Sequence, residues 1–146
     1  MTPTAFLLAA LLAAPAPDPG GSAKEDLKKL QGEWSPTAIQ INGEKAPDKK
    51  LARTKLVVKD DKFTALEDGE VSDESTVRLD PAKEPRAIDL AFTAGPDKDK
   101  SVQGIYKLDG DVLTVCVAEP GKDRPKEFAS AEGSGHILLV FKRAKP

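Results

Sequence analysis

The sequence predicts an all-β protein, an eight-stranded antiparallel up-and-down barrel with a short N-terminal helix. Three observations carry this. Beyond residue 31 the chain breaks into about eight short segments in which apolar and polar residues alternate, the period-2 mark of a half-buried strand. Turn signals separate them roughly every 8 to 15 residues, and two of these, Asn42-Gly43 and Asp109-Gly110, are the dipeptides best suited to two-residue hairpins. Helical periodicity is almost absent between them. Short connections pair sequence neighbours antiparallel, and a twisted meander of eight strands closes most readily into a barrel. A β-sandwich is the alternative for the same strands.

In chain order, residues 1–23 read as a secretory signal peptide and a linker. Residues 6–14 are an unbroken run of Phe, Leu and Ala, too short for the roughly 20 residues that cross a bilayer. Ala14-Pro15-Ala16 and a Pro/Gly stretch at 17–22 follow. The domain proper is 24–146, and the expected location is secreted or periplasmic. Residues 24–31 set Leu27 and Leu30 three apart among Lys, Glu and Asp, one narrow apolar stripe on a short helix that Gly32 can end. Trp34 opens a strand over 34–41, with Pro36 at a bulge or an edge. Residues 47–52 form one helical turn. Strands follow at 55–59, 62–66, 75–79, 87–93, 101–108 and 111–118, then a long irregular stretch at 119–135 and an almost wholly apolar last strand at 136–143.

One parity of each strand is apolar and should face the interior: Leu56 and Val58; Val77 and Leu79; Ile88, Leu90 and Phe92; Tyr106 and Leu108; Leu113, Val115 and Val117; Ile137, Leu139 and Phe141. The other parity carries Arg78, Asp89, Lys107 and Thr114, which suits a solvated outer wall.

Composition narrows the function classes. Lys and Arg number 22 against 24 Asp and Glu, interspersed, for a net charge of −2. That gives no field for nucleic acid or an anionic membrane. The single cysteine, Cys116, excludes an internal disulfide, so the core must hold the fold alone. The expected protein is a monomer with no membrane span.

Gly32-Glu33-Trp34 at the head of the first strand, with Arg143 ending the last, resembles the lipocalin arrangement. There a Gly-x-Trp tryptophan plugs the barrel floor and a basic residue lies across its ring. From Asp26 to Arg143 the chain resembles more closely the small lipocalin-like domain family of unknown function expanded in planctomycete bacteria. The similarity rests on Leu30-Gln31-Gly32-Glu33-Trp34, Ala87-Ile88-Asp89-Leu90, the run from Gly104 to Asp111, Pro120-Gly121-Lys122-Asp123-Arg124-Pro125 and Gly133-Ser134-Gly135-His136. The resemblance implies a lipocalin-like barrel, often behind a signal peptide. It implies no established activity or ligand and supplies no functional residues, so Gly32, Trp34 and Arg143 read as structural, closing the barrel.

Candidate chemistry is thin. His136 is the single histidine, close to Ser134, and the pair reads as a turn entering a strand rather than as nucleophile and base. Cys116 sits between valines, and the nearest charge, Glu119, is negative, so nothing lowers its pKa. Asp60, Asp61, Asp68, Asp73 and Glu74 lack the alternating spacing of a calcium loop and read as hairpin-turn residues. The chain is therefore expected to be no enzyme, with no catalytic residues, no metal site and no cofactor. Two candidates remain. The loop bearing Lys122, Arg124 and Lys126 could contact a partner, an envelope protein, from the barrel's mouth or rim. The interior could hold a small apolar molecule against Phe92 and Phe141, oriented by Tyr106, its only polar handle. The alternative to the second is a filled, ligand-free core.

Overall fold

The computed structural model describes residues 19–144. Most of the expected signal peptide lies outside these residues. Helix α1 (Pro19–Leu30) starts inside the stretch expected to be a linker. Proline is tolerated in a first helical turn, where its missing N–H has no partner to lose. Ala23, Leu27 and Leu30 then anchor the helix on the core, which outweighs the poor helix propensity of Gly20 and Gly21. Gly32, at a φ of +118°, turns the chain out of the helix.

Nine strands follow: β1 (Gly32–Ile41), the two-residue β2 (Glu44–Lys45), β3 (Thr54–Lys59), β4 (Lys62–Glu67), β5 (Glu70–Asp80), β6 (Ala87–Ala94), β7 (Ser101–Asp109), β8 (Val112–Ala118) and β9 (His136–Arg143). A single-turn helix, α2 (Asp48–Arg53), separates β2 from β3. Strands β3 to β9 pair antiparallel in sequence order, and β1 pairs with both β3 and β9, closing an eight-stranded barrel with β2 as an appendage. The predicted fold class is the one found.

The turns differ from the sequence reading in two places. Asn42 and Gly43, both at positive φ, make the two-residue loop between β1 and β2. At the β7–β8 hairpin the paired residues are Asp109 and Val112, so the loop is Gly110-Asp111, one residue later than the Asp109-Gly110 signal. Strand β5 begins at Glu70, five residues before the expected start, which lifts Asp73 and Glu74 out of a turn and into the sheet. Asp60, Asp61 and Asp68 do occupy hairpin turns.

The barrel's two ends are built differently. Beside β9, the first strand pairs from Trp34 to Ile41, with a register shift between Pro36 and Ala38. Beside β3 it pairs only at Gly32, Glu33 and Trp34, so the seam parts above Trp34 and α2 packs there. Pro36 thus sits where its β3-side edge is unpaired and a missing N–H costs nothing. The core runs up from the zipped end: Leu30 and Trp34 are fully buried, followed by Val58, Val77, Ile88, Tyr106, Leu113 and Val115. Every inward position read from parity belongs to this cluster or packs against it.

The outer wall is not uniformly solvated. Residues 119–135 fold back against β7 and β8, where Arg124 reaches the Gly104 carbonyl and Ala129 meets the Cys116 thiol, and Ile105, Thr114, Cys116 and Ala118, which all share the outward parity, are buried. Arg78 and Lys107 are exposed as expected, Lys107 with its ammonium 4.9 Å from the Phe128 ring centroid. Thr114 is the exception, buried on the outward face of β8.

Candidate functional site

The strands place two kinds of chemistry at opposite ends. At the zipped end, the Trp34 indole N–H donates to the Leu30 carbonyl at 2.8 Å, and the Arg143 guanidinium lies 4.3 Å from the indole centroid. Arg143 also donates to the carbonyls of Gln31, at 2.9 Å, and Lys29. The Lys29 carbonyl lies in the last turn of α1, which leaves it without a helical partner, and the Gln31 carbonyl lies just past the helix, so the arginine caps the helix end while covering the ring. A Cβ on Gly32 would come within 3.6 Å of the same guanidinium. Gly32, Trp34 and Arg143 are therefore one assembly.

Tyr106 belongs to this end too. Its hydroxyl donates to Asp26 on α1 at 2.6 Å, and Arg86 donates to the same carboxylate oxygen at 2.9 Å. Burial above all, then the Asp26 hydrogen bond and charge, push the Tyr106 hydroxyl well above its ordinary value, against an opposing effect of Arg86. The tyrosine ties α1 to the barrel and does not line the cavity described below. The sequence reading grouped it with Phe92 and Phe141 because parity reports which face a residue is on, not how far along the barrel it lies.

At the parted end the barrel encloses a cavity of about 320 Å³. Its walls include Ile39, Leu56, Phe63, Phe92, Leu139 and Phe141. Its polar lining is Lys50, Thr54, Lys55, Glu67, Ser72, Asp73, Ser75 and Asp97. A neighbouring cleft of about 380 Å³ shares Phe92, Asp97, Val117 and Ile137 with it and carries the space on past the 95–100 loop. Lys50 and Glu67 pair at 3.0 Å across the rim, and the ammonium holds the Glu67 carboxyl below its ordinary value. Asp73 goes the other way: burial first, then the charge of Asp97, push its carboxyl up.

The basic loop is divided. Arg124 donates to the carbonyls of Ile88, at 3.1 Å, and Gly104, at 2.8 Å, and to the Asp89 carboxylate at 2.8 Å. It is the brace that holds the 119–135 segment on the outer wall. This corrects the expected place of the loop at the mouth or rim, at least for Arg124, and removes its guanidinium as a free contact. Lys122 and Lys126 are exposed. A cleft of about 420 Å³ opens under this segment beside Arg124 and His136, but it lies outside the barrel.

Reactive side chains are engaged otherwise. The Ser134 hydroxyl donates to Ala131 at 2.7 Å and accepts from the His136 backbone N–H at 3.1 Å, so it serves its own turn. Cys116 is buried, its thiol 3.4 Å from the Ala129 carbonyl, and burial pushes the thiol up despite that contact. Among the described residues no three His, Cys, Asp or Glu side chains converge where a metal ion could be held. No described helix is long and apolar enough to cross a membrane.

Sequence reasoning missed Asp73, Asp97 and Ser75. The signal for the first was present: Asp73 and Ser75 share the parity of Val77 and Leu79, and extending that alternation backward puts an acid on the inner wall. Asp97 lies in an irregular loop, where no periodicity points inward. Compared with protein-family models, curated proteins and solved structures, the chain matches none. What stands is a closed eight-stranded β-barrel, plugged at one end and hollow at the other.

Proposed function

We propose that this protein is a carrier, not an enzyme, which holds a small, mainly apolar molecule in the parted end of a lipocalin-like barrel, in a secreted or periplasmic setting. The cavity carries this reading. At about 320 Å³ it falls in the range where small-molecule pockets begin, and its aromatic and aliphatic walls with a few polar groups are the usual make-up of such sites. The Trp34 assembly seals the opposite end, so a guest enters and leaves by one mouth. The resemblance to the planctomycete lipocalin-like family supports the same reading of architecture and location.

The test is native mass spectrometry of the protein purified from its own envelope, alongside titration with small apolar probes. Ala65 lines the void, so Ala65→Phe should fill it and abolish probe binding while the fold persists. A bare wild-type protein that takes up no probe would return the chain to the other reading, a non-enzymatic envelope module whose loops contact another protein. The spectrum also reports location: a mass matching residues 1–146 would refute removal of a signal peptide.

A further inference from the structure

One corner of the cavity carries charge of a single sign. Asp73 lies on the inner wall of β5 in register with Ala65, and both line the void. Asp97 reaches the same void from the loop between β6 and β7. That loop is pressed against β5: a Cβ built on Gly95 would meet the Asp73 Cβ at 2.7 Å and the Ser72 carbonyl at 2.8 Å. Gly95, at a φ of +100°, permits an approach that holds the two carboxyls near one another.

The cations lining the cavity are already engaged. Lys50 is paired with Glu67 at 3.0 Å and Lys55 with Glu33 at 3.4 Å. Asp97 has only the exposed Lys100, at 3.9 Å, and Asp73 has no cationic side chain within ion-pair reach among the described residues. A partly buried carboxylate beside a second one is relieved either by a proton or by a cation.

Ser75 adds an independent sign. It is 2% exposed and lines the void. Every described polar side-chain atom sealed from open space has a hydrogen-bond partner. The Ser75 hydroxyl has none among the described residues, so it faces the void. Two carboxylates and a hydroxyl are three acceptor groups around one corner. Calcium takes 6–8 oxygens, and among the described residues no three His, Cys, Asp or Glu side chains converge where a metal ion could be held. An ammonium has three donors and no acceptor, which is the complement of this corner.

We propose that the guest is a small primary amine, its apolar body against Phe63, Phe92 and Phe141 and its protonated nitrogen held between Asp73, Asp97 and the Ser75 hydroxyl. This rests on the reading of the cavity as a binding site and specifies what it selects. The nitrogen's three N–H bonds are charge-assisted where they meet the carboxylates, and Lys50 stays with Glu67.

Three probes of one shape separate the two levels of the proposal: 2-phenylethylamine, 2-phenylethanol and 3-phenylpropanoate, titrated calorimetrically into the full protein at neutral pH. The amine should bind about ten-fold or more tighter than the alcohol, the effect of one charge-assisted bond over a neutral one. The carboxylate should not bind. Asp73→Asn should bring the amine down to the alcohol's affinity and leave the alcohol unchanged. Asp97→Asn, on the loop, should reduce the amine's advantage in the same direction and guards against a folding defect in the first variant, which a thermal melt reports. Equal affinity of amine and alcohol, or preference for the carboxylate, would overturn the amine assignment while the cavity remains a site. Failure of all three probes to bind the wild type would overturn both.

Discussion

The zipped and parted ends of this barrel are made from the same strands yet satisfy their side chains in opposite ways. Around Trp34 each polar group described has a partner: the indole N–H meets Leu30, Arg143 meets two helix carbonyls, and Asp26 receives both Tyr106 and Arg86. Around Asp73 a carboxyl is pushed up by burial and a second acid, a serine hydroxyl is unengaged, and about 320 Å³ is left unfilled. Good packing and paired charges stabilise; voids and unpaired charges cost stability and persist where something else uses them. The contrast teaches that close packing and open, one-signed space are segregated along the barrel axis, and substitutions at the two ends should therefore differ in sign.

The largest effect belongs to Trp34→Ala, which empties a fully buried aromatic site and should lower unfolding free energy by about 3 to 5 kcal/mol in chemical denaturation. A loss under about 1 kcal/mol would show that the zipped end does not carry the stability assigned to it. Arg143→Ala should follow, at about 1 to 3 kcal/mol, since it removes a cation–π contact and leaves the carbonyls of Lys29 and Gln31, at the end of α1, without their donor. Arg143→Lys should recover only part of that, because an ammonium cannot span the ring and both carbonyls.

Tyr106→Phe should cost about 1 to 2 kcal/mol at neutral pH by leaving one of the Asp26 hydrogen bonds unmade. Its pH dependence is the sharper signature. The folded state holds the tyrosine proton above its ordinary value of 10.0, so this contribution is complete below pH 10 and is lost as pH climbs beyond it. The gap between wild type and Tyr106→Phe should therefore shrink in denaturation series run upward from about pH 10. A gap constant to the limit of the series would place the tyrosine outside this linkage.

The smallest effect should come from Asp73→Asn, and it should be favourable. A raised carboxyl pKa means the folded state resists losing the proton, so the ionised form opposes folding once pH exceeds the ordinary carboxylate range. The amide removes that opposition, and the melting temperature at pH 7 should rise. The rise should vanish at a pH low enough to protonate Asp73 in both states. A fall at pH 7 would mean that Asp73 holds the barrel together, and the two ends would no longer contrast.

Much of the barrel was legible from alternation and turn chemistry because both are local. Leu113, Val115 and Val117 announce their face within five residues, and Asn42-Gly43 announces a loop within two. The beginning of α1 was not legible, since Gly20 and Gly21 argue against a helix and only packing on a barrel not yet assembled argues for it. Strand β5 was cut short because Glu70 to Glu74 hold acids where strand residues usually include apolar ones. That same departure from pattern is what puts Asp73 in the cavity wall. The place of Arg124 was illegible for a different reason: its partners, Ile88, Asp89 and Gly104, are remote in sequence and two are backbone carbonyls, which leave no trace in composition.

The pairing of the first strand with the last also settles how this domain could be hung from anything else. Trp34 lies opposite Arg143, the Ala144 amide donates to Glu33, and Ala23 shares a cleft with Leu79 and Ala87, so both ends of the described chain leave from the plugged side of the barrel. A tether at either terminus would pull on the sealed floor and leave the mouth of the cavity facing away from the point of attachment.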